Sequence, residues 1–143
     1  MIVGLDTNIL CYSLDFAYTE NEKLENLLIN LSPENLVALN PTVLHEAYHT
    51  LVHYLEWTPE EAARRLSALL KHPFVAFLNQ TRKTSQTALN LAVKHNIDGR
   101  DALMVANLLA NKISVMYTHD KELLKLVKIT WKNTSLAFKD PTT

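Results

Sequence analysis

Met1-Ile2-Val3-Gly4-Leu5-Asp6-Thr7-Asn8-Ile9-Leu10 opens the chain, and how this stretch is read decides the fold. An apolar run starts at once and stops on Asp6. Short runs that are apolar throughout mark strands covered on both faces, as in a parallel sheet between layers of helices. A carboxylate at the carboxyl end of such a strand stands where open α/β sheets hold their ligands, in the crevice beyond the strand ends. Alone, Asp6 reads equally well as a turn residue or a helix N-cap. Three later acids, each at the mouth or start of a helix or strand, give it company.

The composition narrows the classes. A chain of 143 residues is long enough for a proper core and suits one domain over residues 1–143. An apolar fraction of 48% with 20% charged residues argues for a folded chain over a disordered one. Gly4 and Gly99 are the only glycines, so no glycine-rich phosphate loop exists. Cys11 is the only cysteine, which excludes an internal disulfide and fits a small buried hydrophobe in a reducing compartment. No basic-then-apolar leader opens the chain, and no run of about 18 apolar residues could span a bilayer. The expectation is a cytoplasmic protein with no membrane partner. Its charge is lopsided: residues 1–63 carry one basic residue against ten acids, and residues 64–143 carry thirteen against five. Either the two halves are simply different solvated faces, or the second half offers an electropositive surface to a polyanion or an acidic partner tail.

No internal repeat, low-complexity run or Pro/Gly linker interrupts the chain. Leu24, Leu27, Leu28 and Leu31 form one face of an amphipathic helix from Thr19 to Leu31, ended by Ser32-Pro33. Leu36 to Leu39 reads as a second strand. Asn40-Pro41-Thr42 then starts a helix reaching about Trp57, with proline tolerated in the first turn. Thr58-Pro59-Glu60-Glu61 starts another helix, to Lys71. A third strand covers Phe74 to Leu78, followed by a helix from Thr84 to His95. Asp98-Gly99-Arg100-Asp101 opens a helix to about Asn111. Ile113 to Tyr117 is a fourth strand, ended by Thr118-His119-Asp120. A short helix follows through Leu126, and Ile129-Thr130-Trp131 makes a fifth strand. Strands parted by helices predict an α/β fold, a mostly parallel sheet with helices on both faces. If the first and fourth strands are neighbours, Asp6 and Asp120 share one crevice.

On the helix that begins at Thr42, a rotation of about 100° per residue puts Val43, Leu44, Ala47, Tyr48, Leu51, Tyr54 and Leu55 in one stripe. His45, His49 and His53 fall opposite, and Glu46 lies at the stripe's edge. Asp101 sits in a first helical turn, where the helix dipole favours an acid whatever its function. Asp98 is the N-cap of the same helix, and Asp120 is a possible cap of the next. His45-Glu46-Ala47-Tyr48-His49 also matches the HExxH zinc-protease pattern, with His53 extending the row. No third ligand follows at a familiar spacing. An aspartate-phosphatase reading fails at Asn8, where that scheme uses a second aspartate.

The ordered set resembles the PIN-domain family, and its spacing is similar to that of the VapC-like toxin ribonucleases of type II toxin–antitoxin pairs. The set is Asp6-Thr7-Asn8 after the first strand, Glu46 in the helix after the second, Asp101-Ala102-Leu103 opening a helix, and Thr118-His119-Asp120 after the fourth. The resemblance covers nearly the whole chain. It implies a parallel sheet of order 3-2-1-4-5, with Asp6, Glu46, Asp101 and Asp120 as the acidic quartet and Asn8 and Thr118 as supporting polar residues. Carboxylates converging in one cleft repel and need protons or a cation, and hard oxygen ligands suit Mg²⁺ or Mn²⁺. Asp6 and Asp101 are then the principal metal ligands, with Glu46 and Asp120 completing the shell directly or through water. The implied activity is metal-dependent endonuclease hydrolysis of RNA, with an antitoxin partner and a homodimer. Arg100, beside Asp101, is the nearest cation for an RNA phosphate. A PIN-fold RNA-processing nuclease that is not a toxin, or a binding platform, stays open beside it.

Overall fold

The computed structural model describes residues 1–143. Its elements run β1 (Ile2–Leu5), α1 (Thr7–Leu14), α2 (Asn21–Ile29), β2 (Leu36–Leu39), α3 (Pro41–His53) and α4 (Pro59–Lys71). They continue β3 (Val75–Phe77), α5 (Arg82–His95), α6 (Gly99–Ala110), β4 (Val115–Tyr117), α7 (Lys121–Leu126), β5 (Lys128–Trp131) and β6 (Thr134–Lys139). The sheet order is β3-β2-β1-β4-β6-β5. Strand β1 pairs in parallel with β2 on one side and β4 on the other, with Leu5 opposite Tyr117. The order changes direction beside β1, so the crevice beyond β1 and β4 is the place where such sheets hold ligands. No helix is long and apolar enough to cross a membrane.

The expected order 3-2-1-4-5 holds through β4 and then needs a correction. The expected fifth strand, β5, lies at the sheet edge and runs antiparallel. The place beside β4 belongs to an unexpected strand, β6, which pairs with it in parallel. Hairpin geometry is the reason. Trp131 and Thr134 face each other across Lys132-Asn133, with Lys132 at a φ of 53°, and a two-residue turn of this kind folds a strand straight back on itself. Leu136 and Phe138 turn inward to the core while Ser135 and Lys139 face out, the alternation of a half-covered strand. A second difference lies at the start, where Thr7 begins a helix immediately after β1, with Asp6 as its N-cap. The helix expected to reach about Trp57 stops at His53, and Glu56 just beyond it has a φ of 60°.

Gly4 sets how closely α6 approaches the sheet. A Cβ at this position would lie 2.5 and 2.7 Å from the two terminal methyl carbons of Leu108, a core residue of α6. The missing side chain therefore lets α6, which carries Asp101 in its first turn, lie against β1, which ends on Asp6. Gly4→Ala is expected to destabilise the fold by about 1–3 kcal/mol through overpacking, read as a lower thermal midpoint. A midpoint equal to the wild type's would mean that Leu108 turns aside freely and that α6 is not held by this contact.

Candidate active site

Asp6 is buried at the end of β1, and all its polar surroundings converge on the carboxylate. Its Oδ1 accepts from the Thr7 backbone N–H at 2.7 Å, and its Oδ2 accepts from the Thr118 hydroxyl at 2.7 Å. The Asp6 backbone N–H donates to the Tyr117 carbonyl, which ties the acid to β4. Burial raises the Asp6 pKa; the Thr118 and Thr7 hydrogen bonds oppose that rise, and the charges of Asp120 and Glu46 add to it. The carboxylate is held in one orientation against its own desolvation.

Glu46 reaches the same place from α3. One oxygen accepts from the Thr7 hydroxyl at 3.3 Å, and the other is paired with the Arg100 guanidinium at 2.8 Å. Thr7 therefore serves two acids, one through its backbone and one through its side chain. Asn8, expected to brace a carboxylate, is exposed and bonds none of the four; the adjacent Thr7 makes that contact. Thr118 stands where it was expected and also accepts from the Asp120 backbone N–H. Arg100 was expected to face a phosphate. Its guanidinium is largely solvent-exposed and bridges α6 to α3 by bonding Glu46.

Asp101 is half-buried in the first turn of α6, and its pKa is pushed up to about 7. Burial is the largest cause, followed by the charges of Asp6, Asp120, Asp98 and Glu46. Every acid of the expected quartet thus lies within electrostatic reach of Asp101. Asp120 caps α7 through the Glu122 N–H, and Asp98 caps α6 through the Arg100 N–H. Three of these acids double as helix caps, which leaves lone pairs on each free for a ligand. The positive ends of α1 and α6 point into the cluster and offset part of its repulsion.

No three Asp, Glu, His or Cys side chains anywhere in the chain close up into a ready-made coordination sphere. Mg²⁺ keeps several waters and takes only one or two carboxylates, so it does not require such a sphere. Structural zinc does, since it needs a tight tetrahedron. His45, His49 and His53 lie exposed along α3, with the His49 and His53 rings 4.6 Å apart and His49 also against Tyr54. No further ligand joins the row. Cys11 is buried, and its thiol is pushed up to about 12 by burial, so it is inert at neutral pH.

Acids gathered from four separate segments across the carboxyl ends of neighbouring parallel strands define an α/β domain with a carboxylate-centred site. Within that class the chain belongs to the PIN domain family, whose family profile matches residues 3–129. Several solved structures share the fold. VapC20 of Mycobacterium tuberculosis, a sarcin–ricin loop cleaving toxin, aligns with a TM-score of 0.70 at 19% identity, over 85% of this chain and 91% of its own. VapBC2 from Rickettsia felis, bound to a DNA fragment from its promoter, gives 0.70 at 19% identity over 98% of each chain. VapBC-1 from nontypeable Haemophilus influenzae gives 0.67 at 19% identity over 100% of both. At this identity the likeness is one of fold. Comparison with curated protein sequences finds no match.

Proposed function

We propose that the protein is a metal-dependent endoribonuclease acting as the toxin of a toxin–antitoxin pair. One observation carries this reading: at the crevice of a PIN-domain sheet, the charges of Glu46 and Asp120 add to burial in raising the pKa of both Asp6 and Asp101. Asp6 and Asp101 are the principal holders of Mg²⁺ or Mn²⁺, with Glu46 and Asp120 completing the set directly or through water. When bound, such an ion would neutralise charge at the scissile phosphate, make an attacking water more acidic and stabilise the departing oxygen. The chain's own residues do the rest. Thr118 and the Thr7 N–H lock both oxygens of Asp6, so no rotation is left to be frozen when substrate binds. Glu46, braced by Thr7, orients the attacking water and accepts its proton. Arg100, paired with Glu46 in the free protein, would offer its guanidinium to two non-bridging phosphate oxygens, a bidentate contact that a lysine would not reproduce.

A cytoplasmic location is proposed together with the RNA substrate. An antitoxin would cover the cleft and offer a basic side chain to the carboxylates. Support for such a partner comes from the fold neighbours solved as VapBC. A homodimer is proposed on the family resemblance.

The test is cleavage of RNA oligonucleotides by the purified protein with Mg²⁺, Mn²⁺, Zn²⁺ or EDTA. Cleavage supported by Mg²⁺ or Mn²⁺ and stopped by EDTA is expected. Metal binding without cleavage of any RNA would leave a platform, and zinc-dependent peptide cleavage lost in His49→Ala would replace the reading altogether.

A further inference from the structure

A cavity of about 420 Å³ opens beside the acidic cluster, between the α5–α6 junction and α7, and it shares Asp101 and Asp120 with that cluster. Ile97, Leu123 and Leu126 supply its apolar surface, and His95 stands in its wall. The His95 Nε2 is shut off from solvent, whereas the ring's Nδ1 is neither buried nor hydrogen-bonded and is the nitrogen left open to a ligand. The volume lies within the range of pockets that take small organic ligands.

Charge decides what can enter. Asp98, Asp101, Asp120 and Glu122 all border the cavity, against a single cation, Lys125, which is already 3.4 Å from Glu122. Such a cavity repels phosphate. It accepts a neutral ring that is apolar on its faces and carries N–H donors on its edge, which carboxylates and an imidazole can receive. A nucleotide whose phosphate sits at the acidic cluster has its base within reach of this cavity. Single-stranded RNA is read through splayed-out bases of this kind.

We propose that this cavity is the nucleobase subsite of the enzyme, holding a base next to the scissile phosphate and favouring amino-bearing bases over uracil. The proposal rests on the nuclease reading for the position of the phosphate. The base stacks over Ile97, Leu123 and Leu126, its amino group donates to the rim carboxylates, and the His95 imidazole takes one further edge contact. Uracil presents carbonyl oxygens where the others present amino groups, and those oxygens face carboxylates. His95 is a specificity residue with no part in metal holding.

The test titrates the protein, in Mg²⁺, with CMP, AMP, GMP and UMP, and follows the His95 ring by NMR. At least one amino-bearing nucleotide should shift the ring signals and bind about fivefold or more tighter than UMP, the worth of one hydrogen bond. His95→Ala should lose that margin while Mg²⁺ affinity, read by calorimetry, stays unchanged. Leu126→Trp, which fills the cavity from its apolar side and removes no acid, should do the same, so a folding defect in one variant does not decide the matter. Equal binding of all four nucleotides, a His95 signal that never moves, or unchanged discrimination in both variants would overturn the subsite. The two readings part cleanly. If His95 responds but no RNA is cut, the subsite stands and the nuclease fails; if RNA is cut and His95 stays silent, the reverse holds.

Discussion

Asp6→Asn is expected to remove RNA cleavage by about a thousandfold or more, the scale of several kcal/mol lost at a metal-assisted step, without unfolding the protein. The substitution keeps shape and volume while removing the charge that a cation needs. The fold tolerates it because Asp6 is strained by its own burial, which raises its pKa. An asparagine oxygen can still accept from the Thr7 N–H, and its amide can donate to Thr118, whose hydroxyl rotates to accept. Alanine would be a poorer test, since it leaves the Thr7 and Thr118 donors facing nothing. The checks are a thermal melt at neutral pH, with a midpoint equal to or above the wild type's, and calorimetry showing weakened Mg²⁺ binding. A folded Asp6→Asn that still cuts RNA at the wild-type rate would remove this carboxylate from the chemistry.

The second large effect is on stability against pH, and it runs opposite to the usual behaviour of carboxylates in ion pairs. The folded state raises Asp101 from the ordinary 3.8 to about 7, so between those values the folded chain holds more proton than the unfolded one. Stability therefore falls as pH climbs through that window, and the loss is complete above about 7. Asp6 contributes with the same sign. Asp140 works the other way. Burial tends to raise it, but hydrogen bonds from Thr142 and His119 prevail and lower it. Its contribution is lost only below the ordinary carboxylate range. The thermal midpoint should drop by roughly 5 °C between pH 5 and pH 8 in EDTA. Mg²⁺ should restore it, more strongly at pH 8, because below pH 7 the ion must displace a proton. Asp101→Asn should flatten the curve. A midpoint that rises steadily to pH 8 in EDTA would contradict the repulsion on which the site is built.

Much of this arrangement was legible in the residues, and the omissions have physical causes. The strands from β1 to β4 stood out as short apolar runs between helices with clear starts, such as Thr58-Pro59-Glu60-Glu61. Helix α1 did not stand out because Ile9, Leu10, Cys11, Ser13 and Leu14 are all buried, so no polar face gives it a helical period. It merges with β1 into one apolar run, and the only boundary mark is Asp6 acting as cap. Strand β6 was hidden because Thr134, Ser135 and Lys139 leave it no continuous apolar run, although Leu136 and Phe138 alternate with outward residues. The four acids were visible by their positions after strands and at helix starts. The Glu46–Arg100 pair was not, since nothing in sequence brings residues on α3 and α6 together. Thr7 was passed over for Asn8 because one residue of helical rotation, unseen without α1, decides which side chain faces Glu46. His95 reads as an ordinary cation in a helix's last turn, where the dipole favours it; its unpaired nitrogen exists only in three dimensions.

The bond from Thr118 to Asp6 spans 112 positions, and the Thr118 backbone N–H is in turn held by the Lys139 carbonyl of β6. Strand β4 thus enters the sheet between the first strand of the chain and the last. Contacts this distant along the chain form late, since loop-closure entropy must be met before they bring any gain. A chain emerging from a ribosome presents Asp6 long before Thr118, yet that carboxylate is not set in place until β4 has docked. Strand β4 lacks its outer neighbour until β6 is free to fold. The acidic cluster is therefore completed only after all four of its carboxylates have been made, and it is among the last parts of the fold to be set.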